Sequence, residues 1–429
     1  MKPLRSSIAA VLTAAIGACT PALGRRPSPS TADSATVRRD IYYLASDALE
    51  GRLAGTPGND SAAAYIARRY RSLGLLPLAP GFQQHFDARS VEDAHVGRTE
   101  PRATQNVIAL LRGSDPILRK EYIVIGAHFD HLGRSKTFAM DPEAGDAIRN
   151  GADDNASGTA AVLDIARLLK RHPPRRSVIF ANFSAEELGL LGSHWFVEHP
   201  LVPLDSVVAM INFDMVGRLR DDKLIVYGTG TATRLKEIVD SVNAALVVPF
   251  ARLNDVGDGF GPSDQTSFYE KGIPVLHFFT DLHDDYHRAT DDADKVNFEG
   301  EARVVDLATA VTTAIANAPV RLQLVRVATP PSGMTTREGS QVYLGSVPDM
   351  AGNEVVGLRL TGVRPGSPAE QGGLKAGDVI VEFGGAKVTD IYSYTNALYS
   401  HKPGDAVKVV VLRGTDRVEV TVTLGRRGG

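Results

Sequence analysis

Glu121–His131 reads EYIVIGAHFDH, an apolar run that stops at His128, with Asp130 two residues on and His131 after it. A strand buried on both faces reads as an unbroken apolar run, and open α/β sheets carry their chemistry just past the carboxyl ends of such strands. Three later segments repeat the arrangement. SVIFANFSAEE ends in Glu186 and Glu187, VVAMINFD ends in Asp214, and IPVLHFF leads into HDDYH, which ends at His287. Between the first two lies NGADDNASG, an acidic turn flanked by glycines just before a helical pattern. One apolar strand ending in a histidine or carboxylate means little. The repetition, together with the acidic turn, describes one polar pocket at the rim of one sheet.

Around these strands the pattern alternates. Helical periodicity covers Thr36–Leu49, Ser61–Leu73, Gly158–Arg171, Leu190–Glu198, Thr233–Ala245 and Gly300–Ala316. Strand patterns cover Gln84–Arg89, Asn106–Arg112 and Leu224–Tyr227. Alternation over this length predicts an α/β fold, a doubly wound, mixed but mainly parallel sheet. His131–Gly151 has little periodicity and lies between proposed ligands, so it is read as pocket wall. Asn254–Asp264 is read as a Gly-rich loop.

The chain has 429 residues, a formal net charge of −3 and 43% hydrophobic residues. That length predicts two globular domains, and the absence of a basic block argues against nucleic acid as a partner. The single cysteine, Cys19, excludes an internal disulfide and a cysteine-based zinc site. Any metal must be held by histidine and carboxylate. Lys2 and Arg5 precede the apolar run Ile8–Ala18, which fits a signal-peptide core. Ile16-Gly17-Ala18-Cys19 resembles a bacterial lipoprotein box, so Cys19 is expected to carry a lipid anchor. An ordinary signal cleaved after Gly24 is the alternative. Both imply export to the periplasm or cell envelope, with contact to a membrane only through the anchor. The expected organisation is a signal at 1–18, a tether at 19–35, a first domain at 36–327, a linker at 328–338 and a mostly β second domain at 339–427.

The polar residues at the strand ends suit a hydrolytic two-metal site, which needs imidazole and carboxylate ligands on each ion, a bridging group and a free carboxylate base. Zinc suits such ligation. His128 and Asp214 could serve one ion, Glu187 and His287 the other, and Asp154 could bridge. Asp130 is placed to accept the free ring N–H of His128. Glu186 is left to act as base. His131 and His283 are read as neighbours of the site rather than ligands, and Asp153 as a turn-forming or supporting group.

GAHFDH, GADDNASG, FSAEELGLLGS, INFDM and DYHRATDDADK, in that order, resemble the motif series of the bacterial leucyl aminopeptidase and aminopeptidase Y family of di-zinc exopeptidases. The likeness runs from about Thr36 to Ala318. It implies two zinc ions per subunit and the same roles for His128, Asp214, Glu187, His287, Asp154 and Glu186. It adds Tyr286 as a residue that polarises the substrate carbonyl, and peptides as substrates. Two departures bear on substrate preference: Gln265 stands where many relatives have histidine, and Arg288-Ala289-Thr290 replaces a Pro-Ser or Thr-Pro pattern. Rival readings are a single-zinc glutaminyl cyclase and a catalytically dead scaffold on the same fold.

The second domain, with YLGSVPDM, GSPAEQGGLKAGDVI and KPGDAVKVVVLRG, resembles a PDZ domain of the protease-associated type. That resemblance implies a peptide or protein ligand added to a sheet edge, its terminal carboxylate held at the Leu344-Gly345 turn.

Overall fold

The computed structural model describes residues 31–88, 102–136, 139–326, 342–348, 357–363, 366–388, 393–394, 397–398 and 400–426. Cys19, the signal segment, the linker 328–338 and most of the expected tether lie outside the described residues.

The first domain is built from α1 (Ser34–Leu44), α2 (Pro57–Ser72), β1 (Leu76–Pro77), β2 (Gln83–Ala88), β3 (Arg102–Leu111), β4 (Tyr122–His128), α3 (Gly158–Arg171), β5 (Ser177–Phe183), α4 (Leu191–Glu198), β6 (Val207–Phe213), β7 (Lys223–Tyr227), α5 (Leu235–Ala245), β8 (Arg252–Val256), α6 (Gln265–Glu270), β9 (Val275–Phe279) and α7 (Phe298–Asn317). One nine-stranded sheet runs β1-β3-β5-β4-β6-β9-β7-β8, with β2 paired to β3. Its centre, β5-β4-β6-β9, is parallel throughout. β3 joins β5 and β7 joins β9 antiparallel.

The sheet divides the core by strand alternation. Ile123, Ile125 and Ala127 of β4 face the layer of α1, α2, α3 and α7, whereas Val124 faces the opposite layer with Phe183, Phe196 and Phe268. Gly126 interrupts the apolar run for a packing reason. A Cβ there would lie 2.7 Å from Phe183 Cε2 and 3.0 Å from Met210 Cε.

Helix ends differ from the sequence reading where local chemistry extends or stops the chain. α2 begins at Pro57 rather than Ser61, because the Thr56 side chain accepts from the Asn59 amide and proline is tolerated in a first turn. α1 stops at Leu44, and the rest of its expected length is a separate 3₁₀ turn, Asp47–Arg52, with Glu50 and Gly51 in left-handed conformation. Residues 254–256, read as loop, belong to β8, and α6 was not legible.

β5 and β6 flank β4 on opposite sides, so the chain switches direction across β4 and opens a crevice at its carboxyl end. His128 ends β4, Glu186 and Glu187 follow β5, and Asp214 follows β6. The described parts of the segment 131–151 are pinned to the rest of the domain. Arg149, fully buried, donates through Nε to Asp141 Oδ1 at 2.8 Å, and the Met140 amide donates to the His287 carbonyl at 2.9 Å.

The second domain pairs β10 (Val342–Tyr343) with β17 (Gly425–Arg426) and carries an antiparallel sheet, β11 (Ser346–Pro348), β12 (Leu358–Val363), β13 (Val379–Phe383), β15 (Ala406–Arg413) and β16 (Asp416–Thr423), with β14 (Ala386–Lys387) paired to β13. It has its own apolar core, including Leu344, Leu360, Ile380, Phe383, Val409 and Val422. Leu344 is buried in that core. Gly345 has φ +81°, and a Cβ there would meet Ser367 Cβ at 2.3 Å.

Candidate metal centre

Asp154 sits at the middle of the crevice and divides it. Its Oδ1 lies 3.4 Å from His128 Nε2, and its Oδ2 lies 3.1 Å from His287 Nε2. His128 Nε2 is also 3.4 Å from Asp214 Oδ1, and His287 Nε2 is 3.3 Å from Glu187 Oε2. His128, Asp154 and Asp214 thus form one donor cluster. Beside it Asp154 and Glu187 form a second with two imidazoles in reach, His131 with Nδ1 2.8 Å from Glu187 Oε1 and His287 with Nε2 3.1 Å from Asp154 Oδ2. The donor chemistry and spacing fit zinc. Ligands about 2.0–2.1 Å from a tetrahedral ion stand about 3.3–3.4 Å from one another.

The turn that carries Asp154 is fastened from every side. The Asp291 carboxylate accepts from the Asp153 and Asp154 amides at 2.9 and 3.1 Å and is paired in turn to Arg218. Asn155 Nδ2 donates to the Phe213 carbonyl at 2.9 Å, and its Oδ1 accepts from Gly158 and Met215 amides. These bonds tie the acidic turn to the end of β6 and so to Asp214. Ser263 Oγ donates to Asp214 Oδ2 at 2.7 Å, leaving Oδ1 toward His128. Beneath the crevice the fully buried Arg52 donates to the carbonyls of Phe129, Asn150, Gly151 and Leu44.

The electrostatics call for cations. Burial alone would lower the His128 imidazole, but the carboxylates of Asp214 and Glu186 outweigh it and hold it well above its ordinary value. His287 is raised likewise, with Glu187 and Asp154 overcoming burial. Burial favours the neutral form of Glu187, yet His287 draws its carboxyl down to about 2. Burial pushes Asp214 up, and Asp264 behind it up to about 7. Both imidazoles thus lie in a surplus of negative charge, which divalent ions would balance.

Asp130 takes a different contact from the one expected. Its carboxylate is 3.7 Å from His128 Nδ1, outside hydrogen-bond reach, while its main-chain carbonyl lies 3.2 Å from that nitrogen. Its Oδ1 instead accepts from the Glu186 amide at 3.1 Å. The two positions are two residues apart on a chain leaving a strand, so the carbonyl reaches the ring before the side chain does. Glu186 is buried, and its charge acts on His128. Tyr286 stacks on the His287 ring with centroids 3.9 Å apart. His283 Nε2 lies 3.1 Å from Asp153 Oδ2.

His131, expected to neighbour the site, lies inside it. It is fully buried, and its Nδ1 is 2.8 Å from Glu187 Oε1. Arg52 was missed altogether. A lone arginine after Leu49-Glu50-Gly51 carries no local sign of where its guanidinium goes.

The profile of peptidase family M28 matches residues 106–312, and that of the PDZ domain matches residues 333–424. Aminopeptidase YwaD of Bacillus subtilis is 29% identical over 218 residues, 49% of this chain and 44% of that protein. The chain covers under half the length of the curated relatives it matches first. Among solved structures, a zinc aminopeptidase from Bacillus subtilis aligns with a TM-score of 0.51 at 19% identity, over 67% of this chain and 97% of that one. A Porphyromonas gingivalis glutaminyl cyclase aligns with a TM-score of 0.55 at 18% identity, over 66% and 98%. Residues 106–312 therefore belong to peptidase family M28, and a PDZ domain follows them.

Proposed function

We propose that this chain is a zinc-dependent aminopeptidase that removes N-terminal residues from peptides. The observation that carries the reading is Asp154, whose two carboxylate oxygens each face a separate set of imidazole and carboxylate donors. His128, Asp214, Glu187, His287 and Asp154 would hold and space two zinc ions, which when bound would supply Lewis acidity to a water and to the substrate carbonyl. Glu186 accepts the proton of the attacking water and returns it to the leaving amine, the task of a general base. Tyr286, which stacks on His287, would polarise the substrate carbonyl. The acidic surroundings attract the free amino end of a peptide. A single-ion cyclase has no use for the second donor set, which sets this reading above that rival.

The purified chain should bind two divalent ions. A chelator should abolish turnover of aminoacyl chromogenic substrates, and zinc should restore it. Full activity after exhaustive chelation would end the proposal.

The PDZ domain takes no part in bond cleavage and binds a peptide at the edge strand β11, next to the Leu344-Gly345 turn. A chain ending at Val327 should keep its rate on single-residue substrates within a few-fold and lose efficiency on long peptides. A folded, metal-loaded truncation that fails on the smallest substrates would refute this division of labour.

A further inference from the structure

Glu187 and Asp214 are treated alike by their surroundings. Each has one carboxylate oxygen facing an imidazole of the metal centre, Glu187 Oε2 toward His287 and Asp214 Oδ1 toward His128. Each has its other oxygen held from behind. For Asp214 the holder is the Ser263 hydroxyl. For Glu187 it is His131 Nδ1, at 2.8 Å from Oε1.

We propose that His131 is a positioning residue for the second metal site, holding Glu187 Oε1 so that Oε2 alone is presented to the ion. The proposal rests on the two-metal reading above. Three observations support it. The 2.8 Å separation is that of a hydrogen bond and shorter than the spacing of about 3.3 Å between two donors on one zinc. His131 Nδ1 lies 3.9 Å from Asp154 Oδ2, farther than His287 Nε2 at 3.1 Å. His131 Nε2 is buried with no hydrogen-bond partner among the described residues, so the ring N–H belongs on Nδ1, where a carboxylate accepts it.

The ring has a prepared seat. Gly151 lies against it, and a Cβ on that residue would stand 2.5 Å from His131 Cγ and Cδ2. Gly151 is itself in left-handed conformation, φ +58°, and its carbonyl is held by Arg52 Nη2 at 2.9 Å. The His287 ring stands edge-on to His131, with centroids 5.6 Å apart. His131 is thus wedged between the glycine that opens the Asp154 turn and the carboxylate it orients. Held in this way, Glu187 would offer a single oxygen, Oε2, to the ion.

The test compares the full-length chain with His131→Leu, which keeps apolar volume and deletes the donor. His131→Asn is the companion, since its amide nitrogen reaches the place of Nδ1. Zinc occupancy is counted by elemental analysis, and the two affinities are measured by competition with a chromophoric chelator. The visible spectrum of the cobalt-loaded protein reports the geometry of the site. His131→Leu should weaken the second ion about 10- to 100-fold and leave the first unchanged, as loss of a group that orients a ligand does. His131→Asn should restore the second affinity to within a few-fold. Unchanged affinity in His131→Leu, parallel loss of both ions, or a folded His131→Asn no better than His131→Leu would each overturn the assignment. If His131→Leu does not fold, His131→Ser, smaller and without a donor in reach, replaces it under the same criteria. If the parent chain itself fails to bind two ions, the two-metal reading is what falls.

Discussion

Replacing Arg52 by lysine separates the geometry of the buried cation from its charge. The guanidinium spreads its donors over Phe129, Asn150, Gly151 and Leu44, carbonyls from three separate segments. Burial lowers it to about 10, with Asp130 and Asp154 among the carboxylates that oppose the shift, so it stays charged at neutral pH. Lysine keeps that charge but offers three N–H from a single atom, and it cannot reach all of these carbonyls at once. At least one buried carbonyl loses its partner, which costs about 1–3 kcal/mol. The loosened carbonyls belong to Phe129, between His128 and Asp130, and to Gly151, at the entry to the Asp154 turn. Arg52→Lys should therefore also weaken zinc binding, by about 10- to 100-fold. Urea unfolding followed by circular dichroism, with chelator and with saturating zinc, measures the first effect, and a zinc titration the second. A variant within about 0.5 kcal/mol of the parent, with unchanged zinc affinity, would refute the view that the fork organises the site.

Two further predictions follow from buried carboxyls. Glu186→Gln should lower turnover by about 10²–10⁴-fold with both ions retained; loss of zinc with activity would make Glu186 a ligand and reverse the roles of the pair. Glu301 is fully buried, neither oxygen has a hydrogen-bond partner among the described residues, and burial, aided by Asp153, Asp164 and Asp40, holds its carboxyl well above the ordinary value. A folded state that keeps a proton the unfolded chain releases loses stability as pH rises from the ordinary carboxyl value toward the folded one. Glu301→Gln removes that cost, about 1.4 kcal/mol per pH unit across the window. Its melting temperature should exceed the parent's at pH 8 and match it near pH 4.5, and a difference independent of pH would contradict the assignment.

The apolar runs Tyr122–Ala127, Ser177–Phe183 and Val207–Phe213, each leading into a histidine or carboxylate, made the parallel sheet and most of the side chains that gather in the crevice legible in the chain alone. Burial on both faces forces an unbroken apolar run, and the run ends where the strand meets the pocket, so fold and site share one local signal. The acidic turn before α3 was legible for the same reason, since glycines and asparagine mark a local backbone path. Tertiary structure decided what depends on approach between distant segments. His131 differs from a surface histidine only by Glu187, 56 positions away, and by a glycine that leaves room for its ring. Asp291 acts on the amides of Asp153 and Asp154 from 138 and 137 positions away. Arg52 gathers carbonyls up to 99 positions distant. The split of the Asp214 and Glu187 carboxylates into one oxygen facing an imidazole of the crevice and one held from behind has no sequence period. It arises when strand ends, an acidic turn and a buried cation are brought within hydrogen-bond length, where unpaired polar groups are too costly to leave.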